Sequence, residues 1–349
     1  MMAKISRKIK VAVIKGDGIG PDVINATIPV LDAVQNAVKG LNLEYVFAGA
    51  GLHCISTYGT NLPEETVNIL KSTDCCLKGP LTTPEEPGSP KSATVQIRTM
   101  FDLYANVRPI KALPIIPSLN PNVDMIIVRE NTEGMYSGIE FMTGKDSAIA
   151  IRLITRSGSE RIARFSFNLA MKRNKHLTYV HKGNILKITD GIFKESVLKV
   201  SKDFPEVTVD DMHVDAAAMN LIKKPEAFDV MVTTNLFGDI LSDEAAQIVG
   251  GLGVAPGANI GDAYAMFEPI HGSAPKYTGM DKANPIATIL ASKLMLEWLG
   301  FIEAGKKIGE AVNAVLREGR ILTYDIASKD VVPAKSSEMG KQIAKAIRA

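Results

Sequence analysis

Apolar residues along the chain follow two spacings in turn. Short runs rich in β-branched residues read as buried strands: Val11 to Ile14, Leu43 to Ala48, Cys75 to Leu77, Met125 to Val128, His176 to Val180, Val207 to Val214 and Val230 to Val232. Between them, apolar positions three and four residues apart predict helices, the first through Val23, Ile24, Ile28, Leu31 and Val34. Others are expected over Glu64 to Lys71, Ser157 to Lys172, Ile185 to Val200, Asn284 to Leu299, Ile302 to Leu316 and Ser337 to Ile347. Such alternation predicts an α/β fold with a largely parallel sheet. Two segments depart from it. Gly138 to Met142 and Ala148 to Thr155 pattern as an antiparallel arm, and Glu85 to Lys91, with Pro87, Gly88 and Pro90, is a loop, either a lid or a plain surface connection.

At 349 residues the chain exceeds the usual single-core size, so two domains or one large α/β unit is expected. A net charge of +2 without long blocks of like charge gives no argument for nucleic acid or a membrane surface. The basic start (Lys4, Arg7, Lys8, Lys10) runs into the first strand without an apolar signal core, and no window reaches membrane-spanning length, so a cytoplasmic protein is expected. Cys54, Cys75 and Cys76 include an adjacent pair and have no histidine spaced for zinc; they read as buried thiols.

The strongest chemical signal is Asn235 to Ala246. With a helix from about Gly238, Asp239 and Asp243 share one face near its N-terminus, two hard oxygen ligands suited to Mg²⁺ or Mn²⁺. Helix capping alone also favours an aspartate in a first turn. The strand-like lead-in, and a third acid, Asp215, after another strand-like run, support the ligand reading. Arg98 and Arg108, ten residues apart, and Arg129, at the end of a strand, have the forked donors that grip carboxylates, although each alone fits a surface ion pair. Lys182 follows a strand beside Gly183, where a desolvated lysine can carry a proton. Gly16 to Pro21 has the wrong glycine spacing for a dinucleotide fingerprint and reads as a tight strand-to-helix turn. Glu268 to Tyr277 reads as a loop of small residues open to backbone contact with a ligand.

Seven segments in order carry a resemblance: Gly16 to Pro21, Lys78 to Thr83, Arg98 to Pro109, Arg129 to Gly138, His181 to Asn184, Asn235 to Gly253 and Glu268 to Pro275. Together they resemble the β-decarboxylating dehydrogenases, which act on isocitrate, 3-isopropylmalate or homoisocitrate. The resemblance implies a fold distinct from the Rossmann domain. A large α/β domain (1–101 and 252–349) would flank a small one (102–251), whose antiparallel arm clasps a second copy in a homodimer with shared active sites. It implies Asp239 and Asp243, with Asp215 from the partner, as ligands of Mg²⁺ or Mn²⁺. Arg98, Arg108 and Arg129 would hold substrate carboxylates, Lys182, also from the partner, would accept the hydroxyl proton, and Tyr136 would protonate the decarboxylated product. Hydride would pass to a nicotinamide cofactor.

Within that resemblance, Ser92 and Thr94 occupy the positions that read the substrate's variable substituent. Hydroxyls there suit a third carboxylate rather than an isopropyl group, so isocitrate is expected, with homoisocitrate next because Thr94 replaces an asparagine. Lys276 and Tyr277, where NAD-dependent members carry an acid, together with Tyr324, imply NADP, although Ser328 replaces an expected arginine and NAD is the alternative. Glu268, His271, Gly272, Ser273, Ala274 and Asn284 would complete the cofactor site, with Lys78 and Thr82 near the nicotinamide. A non-catalytic regulatory subunit would be expected to lack part of the Tyr136, Lys182 and aspartate set, which is complete here.

Overall fold

In the computed structural model, which describes residues 8–84, 86, 88–329 and 332–348, most of the apolar runs form strands as expected. Lys4, Arg7, Glu85 and Pro87 lie outside the described residues. The first strands are β1 (Ile9–Ile14), β2 (Leu43–Ala48), β3 (Cys75–Lys78), β4 (Ala105–Lys111) and β5 (Asp124–Glu130). They are followed by β6 (Gly134–Met142), β7 (Ala148–Leu153), β8 (His176–His181), β9 (Thr208–His213), β10 (Val230–Thr233), β11 (Pro256–Ile260) and β12 (Ala265–Pro269). The helices are α1 (Gly20–Ala37), α2 (Leu52–Tyr58), α3 (Glu64–Ser72), α4 (Ala93–Met100), α5 (Arg156–Met171) and α6 (Thr189–Ser201). The remainder are α7 (Val214–Lys223), α8 (Asn235–Ile248), α9 (Ile286–Trp298), α10 (Ile302–Glu318) and α11 (Ser336–Arg348).

Ten strands make one sheet in the order β2-β1-β3-β12-β11-β4-β5-β10-β8-β9, and β6 and β7 form a separate antiparallel ribbon. Both flanks of the large sheet are parallel, but its centre is not: β11 runs antiparallel to β12 and to β4, and β4 antiparallel to β5. The sheet is thus largely parallel, as expected, with an antiparallel centre. Apolar side chains on the sheet pack beneath α1, α9, α10 and α11 in the largest core, which includes Val11, Phe267, Ile308 and Ile343. The chain ends meet there. A Cβ at Gly340 in α11 would lie 2.3 Å from the Ala26 carbonyl oxygen in α1, so only glycine allows this approach.

Three expectations fail for identifiable reasons. The helix carrying Asp239 begins at Asn235 rather than Gly238, so neither aspartate is in its first turn and the capping explanation lapses. Gly238 marks close approach: a Cβ there would lie 2.7 Å from the Cβ of Arg129. Residues Ile185 to Ile188 form a turn, not helix, because the Lys182 carbonyl accepts the amides of Ile185 and Leu186. Glu268 and Pro269, expected in a loop, end the strand β12, and β11, unassigned in the expected pattern, is also a strand; Pro256 and Pro269 stand at strand ends, where a missing N–H is tolerated. The helices α2 and α7 have no counterpart in the expected pattern.

Candidate active site

Register brings the charged residues together. Asn106 on β4 is paired with Asn259 of β11 on one side and Arg129 of β5 on the other, and Arg108, two residues on, projects from the same face. Glu268 on β12 is paired with Gly257 of β11. Asparagine amides link these rows: Asn106 donates to Asn259 Oδ1 at 2.7 Å, Asn131 to the same oxygen at 3.0 Å, and Asn259 Nδ2 to Glu268 Oε1 at 2.7 Å. Lys78 Nζ lies 2.6 Å from Glu268 Oε2, and Arg98 Nη2 lies 3.0 Å from Oε1. Burial pushes the Glu268 carboxyl up, but Lys78 and Arg98 outweigh it and hold the group far below the usual carboxylate range. Arg129 and Lys78 head the fully buried side chains by size, so the sheet has enclosed cations with acids beside them.

α8 presents its aspartates to this floor. Arg108 donates to Asp243 Oδ1 at 3.1 Å, to Asp239 Oδ1 at 3.3 Å and to Ser242 Oγ at 2.5 Å. Arg129 contacts Asp239 Oδ1 and is held through Asn235 Oδ1, 2.9 Å from its Nε. Burial raises the Asp239 carboxyl, yet Arg129 and Arg108 bring it below its ordinary value; Asp243 is raised, because its own burial outweighs Arg108. Burial, followed by the neighbouring Arg108 and Arg98, lowers Arg129 to about 10. Tyr136 donates to Asp239 Oδ2, and the Arg129 guanidinium lies 4.7 Å from its ring centroid. Burial and the bond to Asp239 raise the phenol, which keeps its proton.

Lys182 and Asp215 pair at 2.5 Å, just beyond the neighbouring strands β8 and β9. No hydrogen bond or ion pair joins them to Asp239 or Asp243 among the described residues of this chain. The backbone of Lys182 is fixed from behind: its amide donates to Asp190 Oδ2 at 2.6 Å, and Arg152 of β7 grips Asp190 Oδ1 at 2.6 Å. Gly183 donates its amide to His181 Nδ1 at 2.9 Å, so His181 Nε2 carries the proton and donates to Asp211. No group of three or more His, Cys, Asp or Glu that could hold a metal occurs among the described residues, so one chain offers Asp239 and Asp243 as two carboxylates one helical turn apart. That donor set fits a hard divalent cation completed from outside the chain.

A cleft of about 150 Å³ between these layers is lined by Lys78, Thr94, Arg98, Arg108 and Glu268, room for a small acid. The Ser92 and Thr94 hydroxyls at the start of α4 have no hydrogen-bond partner among the described residues and stay free for a ligand. A second cavity of about 330 Å³ adjoins it, lined by Gly251, Gly253, His271, Ala274, Tyr277, Asn284 and Tyr324. His271 lines both cavities, and its buried Nε2 has no hydrogen-bond partner among the described residues. Lys276 Nζ lies 4.7 Å from the Tyr277 ring centroid, and Lys282 Nζ lies 4.4 Å from that of Tyr324, a cationic rim suited to a phosphate. Thr82 Oγ1 is 2.5 Å from Ser273 Oγ, while Glu268 belongs with the arginines instead of this rim. The glycine turn serves as a junction: Ile19 donates to the Ser273 carbonyl, and Asp17 accepts the amides of Leu52 and Thr82.

Asn106, Asn131, Asn259, Asp190, Arg152 and Lys282 were given no role in the sequence expectations. The available signal was asparagine in the middle of a strand, at Asn106 and Asn259, where local propensity disfavours it.

Comparison with known proteins finds relatives along nearly the whole chain. The isocitrate/isopropylmalate dehydrogenase family model matches residues 10–343. An isocitrate/homoisocitrate dehydrogenase of Thermus thermophilus is 49% identical, covering 89% of this chain and 91% of its own. A 3-isopropylmalate/3-methylmalate dehydrogenase of Methanocaldococcus jannaschii is 45% identical, covering 97% of this chain and 99% of its own. The crystal structure of isocitrate dehydrogenase from Methylococcus capsulatus superposes with a TM-score of 0.92 at 42% identity, covering 98% of this chain and 100% of that one.

Proposed function

Because the chain belongs to the isocitrate/isopropylmalate dehydrogenase family, which oxidises and decarboxylates hydroxy acids, we propose that it converts isocitrate to 2-oxoglutarate and CO₂ with NADP⁺ as oxidant. The charge of the cleft carries this reading. Lys78, Arg98, Arg108 and Arg129 face Glu268, Asp239 and Asp243, four cations against three carboxylates. The one net positive charge becomes three with a divalent cation, which matches a tricarboxylate trianion better than the dianion of isopropylmalate. The Thr94 hydroxyl beside Arg98 in the cleft, with Ser92 just before α4, would give the third carboxylate polar partners. Homoisocitrate, also a trianion, is the second reading, favoured by Thr94 and by the name of the Thermus relative.

In this mechanism Asp239 and Asp243, with Asp215 of a second copy, would hold Mg²⁺ or Mn²⁺. When bound, the ion supplies Lewis acidity at the substrate hydroxyl. Arg98, Arg108 and Arg129 turn from their acids to the substrate carboxylates. Lys182 of the second copy, once neutral, would take the hydroxyl proton directly or through water, and a bound nicotinamide would supply the hydride acceptor for C2. CO₂ departs from the carboxyl on C3, leaving its electron pair, and Tyr136, which holds its proton in the resting site, delivers it to C3. The Lys276, Tyr277, Lys282 and Tyr324 rim would receive the 2′-phosphate of NADP. The chain divides, in this reading, into a large domain (1–101 and 252–349) and a small one (102–251) that carries the clasp. Absorbance of reduced nicotinamide tests the reading in mixtures of protein, Mn²⁺, NADP⁺ and isocitrate. Reduction that chelation abolishes is expected; no reduction with isocitrate, homoisocitrate or isopropylmalate would overturn it.

A further inference from the structure

A further cavity lies apart from the two described above. It has a volume of about 610 Å³, within the range of small-molecule sites, and opens on the other side of the central strands. On β4, Asn106 and Arg108 line the substrate cleft while Pro109 and Lys111 line this cavity; on β11, Gly257 faces the cleft and Pro256 the cavity. The two sites are thus back to back on the same pair of strands.

Its floor is apolar, with Ile116, Val254, Leu290 and Leu294, and its rim is cationic, with Lys111, Lys293 and Arg317. Lys111 is paired with Asp124 and Lys293 with Glu297, but Arg317 has no acid partner among the described residues. Asn313, on the wall, has a buried side-chain oxygen without a hydrogen-bond partner. Turning that amide by half a revolution places N–H donors at the same point, where a carboxylate could accept them. Ile115 at the edge has a φ of +60°, a strained value for a β-branched residue, and its side chain is exposed. An unpaired cation and a convertible amide over an apolar floor ask for a ligand with one anionic end and an apolar body.

We propose that this cavity binds a small amphipathic monocarboxylate, its chain on Leu290 and Leu294 and its carboxylate at Arg317 and Asn313. Titration calorimetry with octanoate and the full-length protein tests it. Saturable binding is expected, weakened about tenfold or more in Arg317→Glu, a change on the exposed face of α10 that leaves the fold intact. Acetate, with the same charge and no chain, should bind at least about tenfold more weakly. Because the substrate arginines also attract carboxylates, Arg98→Gln serves as the control and should leave octanoate affinity within about twofold. Absence of saturable binding, affinity unchanged in Arg317→Glu, acetate binding as well as octanoate, or loss of binding in Arg98→Gln would each overturn the proposal.

Discussion

At the scale of single residues, the chemistry depends on side chains that neutralise one another until a ligand arrives. Tyr136 donates to the same aspartate that two arginines hold, so its phenol is positioned and protonated at rest. Tyr136→Phe and Lys182→Met should each lower kcat by about 10²-fold or more with KM changed only a few-fold, as expected for proton carriers. Steady-state kinetics with wild-type turnover in either variant would remove that residue from the mechanism. Lys276→Asp should raise the ratio of kcat/KM for NAD to that for NADP, since an acid beside Tyr277 repels a phosphate dianion; an unchanged ratio would contradict the assignment of the rim. These residues were legible because their types announce their chemistry. Asp190 and Arg152 were not, since a buried acid that accepts a backbone amide looks in sequence like any first-turn aspartate.

At the scale of elements, spacing located α8 but misjudged its start, because Gly238 was read as a boundary when it makes room for the Arg129 stem. β11 and β12 escaped notice because five-residue strands enclosed on both faces show no alternation, although Ala265 to Phe267 in β12 is an apolar run. The β6–β7 ribbon was legible from its change of period, and it leaves Ile139, Phe141, Met142, Ile149 and Ile151 exposed. Apolar side chains so displayed suit a second copy of the chain. Phe141→Glu combined with Ile149→Lys should therefore yield monomers by light scattering and abolish turnover by separating Lys182 and Asp215 from the partner's aspartates. A double variant that stays dimeric and active would refute the clasp.

At the scale of the whole molecule, the parallel flanks were foreseeable from strand–helix alternation, whereas the antiparallel centre depends on long-range pairing that periodicity does not encode. That centre encloses Glu268 between Lys78 and Arg98 and ties stability to pH. Because its carboxyl is held below the ordinary value of 4.5, the unfolded chain takes up this proton first as pH falls. The group's contribution is complete above that value and declines below it. Wild-type urea midpoints should thus fall between about pH 5 and about pH 3.5, while Glu268→Gln starts lower and varies less. Equal slopes would contradict the role given to Glu268. No helix among the described residues is long and apolar enough to cross a membrane. The most direct test of the account is a ranking of kcat/KM for isocitrate, homoisocitrate and isopropylmalate with Mn²⁺ and NADP⁺. A cleft with three positive charges and free hydroxyls predicts isocitrate first and isopropylmalate slower by about 10²-fold or more; isopropylmalate ranked first would contradict it.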